Sequence, residues 1–132
     1  ARLVFFGFLG GVLFSVVNCM QVIYYKIIME ESFYHEIANK QMQKLLELAE
    51  KLEETHDIET EYEAGVLTIT LPTKRQYVIN KHTPSRQIWV SSPISGAGYY
   101  EFGGADWLPK KTQATNNTNL FNFIKDELNK TI

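Results

Sequence analysis

Beyond Gly65 the hydrophobic period of the chain changes from that of a helix to that of a strand, and this change constrains the fold most. Residues 66–71 set Leu67, Ile69 and Leu71 against Val66, Thr68 and Thr70. That is the alternation of a strand with one buried face, and Pro72 ends it. Thr73-Lys74-Arg75 reads as a turn, and residues 76–81 read as a second strand with Tyr77 and Ile79 inward. A turn around Thr83-Pro84-Ser85 leads to a third strand, 86–92, with Ile88 and Val90 on one face and Gln87, Trp89 and Ser91 on the other. Residues 92–98 read as a loop, and 99–102 as a short fourth strand.

Helical periodicity flanks these strands. From Glu30 to Glu54 the apolar residues Ile37, Ala38, Met42, Leu45, Leu48, Ala49 and Leu52 fall on one stripe, which predicts an amphipathic helix packed on a core. Near the C-terminus, Leu120, Phe123, Ile124 and Leu128 recur at helical spacing, and residues 116–119 supply its N-cap region. Helix, hairpin-linked strands, helix is the order of an α+β protein. We expect a two-layer sandwich in which both helices cover one face of an antiparallel sheet and leave the other to solvent. If Ile88 and Val90 point inward, then Gln87 and Trp89 point outward, beside Val78 and Asn80. An outward tryptophan among amides suggests a binding surface, because Trp is prominent among interface hot spots. His82 sits in the turn next to this patch, and Trp107 is expected to pack in the core or at its rim.

Charge is segregated along the chain. Residues 30–63 hold eleven acids against three lysines, a net of −8, whereas residues 64–132 carry a net of +4. The overall net charge of −2 leaves no basic stripe for nucleic acid, and none is expected as a partner. The single cysteine, Cys19, excludes an internal disulfide framework. No P-loop, HExxH or GxSxG is present, and no catalytic residue is assigned. Glu36, Glu47, Glu50 and Glu54 lie nearly opposite the apolar stripe of the first helix, and Asp57, Glu59 and Glu61 then alternate as on one face of a strand. Such a carboxylate ridge suits hard cations, bound weakly and at several sites.

The N-terminal 28 residues stand apart. Residues 3–25 carry no charged side chain, a length that suits a membrane span or the apolar part of a signal peptide. We divide the chain at this point: residues 1–28 as a targeting or anchoring segment, or as one outside the functional protein, and residues 29–132 as the functional domain. Contact with a membrane is expected only if 3–25 persists as an anchor. Asn116-Asn117-Thr118 and Asn129-Lys130-Thr131 are formal glycosylation acceptors of the kind that recurs by chance.

The stretch Tyr77-Val78-Ile79-Asn80-Lys81-His82-Thr83-Pro84-Ser85-Arg86-Gln87-Ile88-Trp89-Val90-Ser91-Ser92-Pro93 closely resembles the eukaryotic, mitochondrial form of the frataxin family. Gly65-Val66-Leu67-Thr68-Ile69 resembles that family's second strand, and Asp106-Trp107 its later tryptophan. The similarity runs from about Tyr34 to Leu128.

The resemblance implies an iron-binding protein of iron–sulfur cluster assembly in the mitochondrial matrix or a mitochondrion-derived organelle. It implies binding to a complex of cysteine desulfurase and iron–sulfur scaffold protein, with stimulation of sulfur transfer. It also implies iron, Fe2+ or Fe3+, held weakly on the acidic ridge, and a ferroxidase, iron-storage or iron-chaperone activity is the alternative. Carried over position by position, Glu47, Glu50, Glu54, Asp57 and Glu59 match the ridge, and Asn80, Gln87 and Trp89 match the partner-contacting face. His82 joins that face where animal members have glutamine. Tyr99 stands where they have arginine, so a charged contact is lost. Asn39, Lys40, Gln43 and Lys51 thin the ridge along the first helix.

Overall fold

The computed structural model of the chain describes residues 7–110 and 118–132. Its contacts divide it into two units, residues 1–34 and 35–132. The element order is α1 (Gly7–Glu53), β1 (Glu59–Glu63), β2 (Val66–Thr70), β3 (Gln76–His82), a 3-10 turn (Thr83–Ser85), β4 (Gln87–Ser92), β5 (Gly96–Phe102), β6 (Trp107–Pro109) and α2 (Leu120–Thr131). The first unit is helical from Gly7 onward. Among the described residues no helix is long and apolar enough to cross a membrane.

In the second unit six strands form one antiparallel meander in the order β1-β2-β3-β4-β5-β6. The expected two-layer α+β sandwich is present, with two helices on one face of the sheet. Alternation decides which side chains meet the helices. Leu67 and Ile69 of β2, Tyr77 and Ile79 of β3, Ile88 and Val90 of β4 and Tyr100 of β5 are buried. Their register stacks Leu67, Ile79 and Val90 in one row across three strands. From the helical layer Ala38, Met42, Leu45 and Ala49 of α1, and Leu120, Phe123, Ile124 and Leu128 of α2, complete the core. Trp107 is buried, as expected of a packing residue. Asn119 caps α2, its side chain accepting from the Asn122 N–H at 2.9 Å. That places the cap at the last residue of the expected region, of which 116 and 117 lie outside the described residues.

Four strands are expected, and the described residues form six. The acids of β1, which alternate as on one face of a strand but are not among those four, form an edge strand because the Ala64-Gly65 turn folds them back on β2. Both turn residues have positive φ, 51° and 78°, as the tightest hairpin turn requires, and glycine takes that conformation without strain. β5 begins at Gly96, not Tyr99: residues 96–98 resemble a loop in composition but pair with Ser92, Ser91 and Val90. β6 has three residues, too few to show a period. Arg86 does not open the third predicted strand. It takes a left-handed conformation (φ 56°) that ends the 3-10 turn, with its guanidinium donating to the Thr83 carbonyl.

A part-buried polar cluster ties α2 to the sheet. Glu127 accepts from Ser92 Oγ at 2.6 Å and Ser95 Oγ at 2.8 Å. The Tyr77 hydroxyl lies near Ser92 and Thr131 without a well-formed hydrogen bond. Burial, and then the Glu127 charge, push its phenol above the ordinary value of 10.0. A group whose folded pKa is raised gives stability that is present below the unfolded pKa and lost as pH rises through the folded one. Stability should therefore decline above about pH 10, the ordinary tyrosine value. In Tyr77→Phe this alkaline decline should be smaller, with stability at neutral pH within about 1 kcal/mol of the parent. Urea unfolding at pH 7 and above pH 10 measures both.

Candidate functional site

The candidate site is the face of the sheet opposite the one that packs on the core residues of α1 and α2. Side chains of one parity point there: Val78, Asn80 and His82 from β3, Gln87, Trp89 and Ser91 from β4, and Tyr99 and Glu101 from β5. The register sets Asn80 opposite Trp89, Trp89 opposite Tyr99, and Gln87 opposite both His82 and Glu101. Trp89 and Val78 are each 36% exposed and Tyr99 39%, so three large apolar side chains on adjacent strands meet solvent on one face.

The aromatic groups are organised. The His82 ring stacks on the Trp89 indole at 4.3 Å between centroids, with planes 14° apart. Tyr99 meets the other side of the indole edge-on, at 5.1 Å and 88°. These are the two favoured geometries for aromatic pairs, and each limits the rotamers open to Trp89. The turn supports the first: His82 Nδ1 lies 2.5 Å from Ser85 Oγ, which fixes the ring plane. The expected surface residues Asn80, His82, Gln87 and Trp89 thus share one face. Gln87, however, is buried at 6% exposure, a correction to its expected exposure. Its amide donates to Glu101 Oε1 at 2.7 Å, so it braces the patch from beside Trp89. Glu101 was not anticipated, because only the β4–β5 register puts it opposite Gln87.

The expected carboxylate ridge divides between two elements. Glu47 and Glu50 are exposed along the end of α1, which stops at Glu53 and not at the expected Glu54, and Glu54 and Asp57 are exposed in the turn after it. Glu59 and Glu61 pair with Thr70 and Thr68, whose neighbours Ile69 and Leu67 point into the core. Those two carboxylates, with Glu63, therefore lie on the open face at its β1 edge. Glu47 accepts from Gln43 at 3.1 Å, and Glu36 pairs with Lys40 at 3.2 Å. Among the described residues, no three acidic, histidine or cysteine side chains converge tightly enough to hold a metal ion.

An antiparallel six-stranded sheet with two helices packed on one face, an organised aromatic patch on the other, and acids along a helix and an edge strand defines a two-layer α/β sandwich. The frataxin-like domain family matches residues 27–132, and the chain belongs to that family. Among its curated relatives, the mitochondrial frataxin homolog of Saccharomyces cerevisiae is 35% identical over 104 residues, covering 75% of this chain and 56% of that protein. Mitochondrial frataxin of Arabidopsis thaliana is 34% identical over 109 residues, covering 79% and 56%. The iron-sulfur cluster assembly protein CyaY of Vibrio atlanticus is 30% identical over 102 residues, covering 77% and 91%. The chain spans about half the length of the first two. A crystal structure of trimeric yeast frataxin complexed with ferrous iron superposes with a TM-score of 0.63 at 34% identity, covering 72% of this chain and 84% of that one.

Proposed function

We propose that this chain is an iron-binding protein of mitochondrial iron–sulfur cluster assembly, which docks on a cysteine desulfurase–scaffold complex and stimulates sulfur transfer to the scaffold. The observation that carries this reading is the aromatic trio of His82, Trp89 and Tyr99 on the uncovered sheet. A held, half-exposed indole loses little side-chain entropy on binding, and this favours it as an anchor. Asn80, directly across from Trp89, offers donors and acceptors for a partner's backbone. A protein with no catalytic constellation raises a partner's rate by binding the partner's active conformation more tightly than its resting one. We assign that role to residues 29–132. Binding should be measured by interferometry on an immobilised desulfurase–scaffold complex: saturable binding supports docking, and none at micromolar protein contradicts it.

A second reading rests on the acids. Glu50 and Glu54 make no hydrogen bond or ion pair among the described residues, and oxygen donors suit iron. This favours loose capture and delivery of Fe2+ over oxidation of it. Productive ferroxidase sites place paired carboxylates with histidine inside a bundle, whereas these carboxylates are exposed at the end of a helix and in the turn after it. Replacing Glu47, Glu50 and Glu54 together by glutamine should weaken Fe2+ binding severalfold in calorimetric titration and leave docking intact. Unchanged iron binding contradicts a role for the helical ridge. Iron-dependent oxygen consumption that is lost in this variant supports the ferroxidase alternative.

A further inference from the structure

The lysines of the acidic helix are not scattered. Residues 30–63 contain three, and Lys40 is committed to Glu36. The other two, Lys44 and Lys51, both line one cleft of about 580 Å³, and Lys125 of α2 joins them. None of these three ammonium groups makes a hydrogen bond or ion pair among the described residues. Leu48 and Phe121 supply apolar wall, over the buried Trp107. The volume falls within the usual range for small-molecule sites, which combine apolar walls with a few convergent polar groups.

The cleft also contains the start of α2, since Asn119 and Phe121 line it. Asn119 satisfies the Asn122 N–H, while the first N–H groups of a helix have no partner within the helix and favour negative charge. Two carboxylates, Glu47 and Asp106, also line the cleft, leaving one positive charge in excess, on a domain whose first helix is otherwise strongly acidic.

We propose that this cleft binds a small phosphate ester with a flat apolar part, of the nucleoside diphosphate kind. The phosphates meet Lys44, Lys51 and Lys125 at the α2 N-terminus, a combination suited to phosphate, and the apolar part rests on Leu48 and Phe121. No residue of the open sheet face takes part, so the site is independent of the docking surface.

The test is a 15N–1H titration of the full chain with ADP and, separately, with pyrophosphate. Saturable shifts confined to Lys44, Lys51, Phe121 and Lys125 are expected, with ADP binding more tightly. In Lys51→Gln/Lys125→Gln the affinity for ADP should fall about tenfold or more, the loss of charge-assisted contacts. Its thermal unfolding should stay unchanged because both side chains are exposed. Shifts that do not saturate, that spread over all lysines, or that persist in the double variant overturn the proposal. Equal affinity for ADP and pyrophosphate overturns the apolar half of it.

Discussion

Trp89→Ala is expected to abolish stimulation of the desulfurase complex while the domain stays folded. Central aromatic anchors cost about 2–4 kcal/mol when truncated, which weakens binding about thirtyfold or more. The variant also loses the His82 stack and the Tyr99 edge contact, about 0.5–1.5 kcal/mol each. That loss is small against the roughly 5–15 kcal/mol that holds a domain of this size folded. Trp89→Phe keeps a flat ring between His82 and Tyr99 and should retain part of the affinity. Full stimulation by the alanine variant, with circular dichroism unchanged, would remove the aromatic patch from the account.

The largest stability effect is expected one residue from a position that tolerates change. Ile79 is fully buried in the row between Leu67 and Val90, and Ile79→Ala should cost about 2–5 kcal/mol through lost burial and the cavity left behind. For a domain of about 100 residues that lowers the melting temperature by on the order of 10–30 °C. Val78, adjacent in sequence and on the open face, should cost less than about 1 kcal/mol when cut to alanine. The pair tests the sheet register directly, because a slip of one residue would exchange the two outcomes. Calorimetric melting of both variants beside the parent decides it.

Legibility in the sequence followed the physical signal. β2, β3 and β4 each bury one face, so their alternation is clean. The α1 stripe and the Asn119 cap are read from periodicity and capping chemistry in the same way. The strands that composition hid are those where something other than a hydrophobic face makes the strand. β1 is an edge of acids held by its hairpin, the first residues of β5 are small, and β6 is a three-residue ladder closed by pairing. At the site, parity correctly put Trp89, Asn80 and Val78 on one surface. It could not show that Glu101 would cover Gln87, since burial of a polar amide depends on its cross-strand neighbour. The strand-like alternation of Asp57, Glu59 and Glu61 is legible in the sequence, but only the β1–β2 register shows that Glu59 and Glu61 lie on the open face of the sheet. Tyr99, expected only as the loss of a charged contact, is the residue that holds the indole edge-on.

In the proposed role, the open sheet face recruits this chain to a sulfur-transferring complex and speeds it. The measurement that bears on it most directly is sulfide production by a cysteine desulfurase–scaffold complex, assayed alone, with the parent chain, and with Trp89→Ala. Stimulation by the parent and its loss in the variant is the predicted result. Equal rates in all three samples, with both proteins shown to be folded and the partners drawn from the same source, would contradict it.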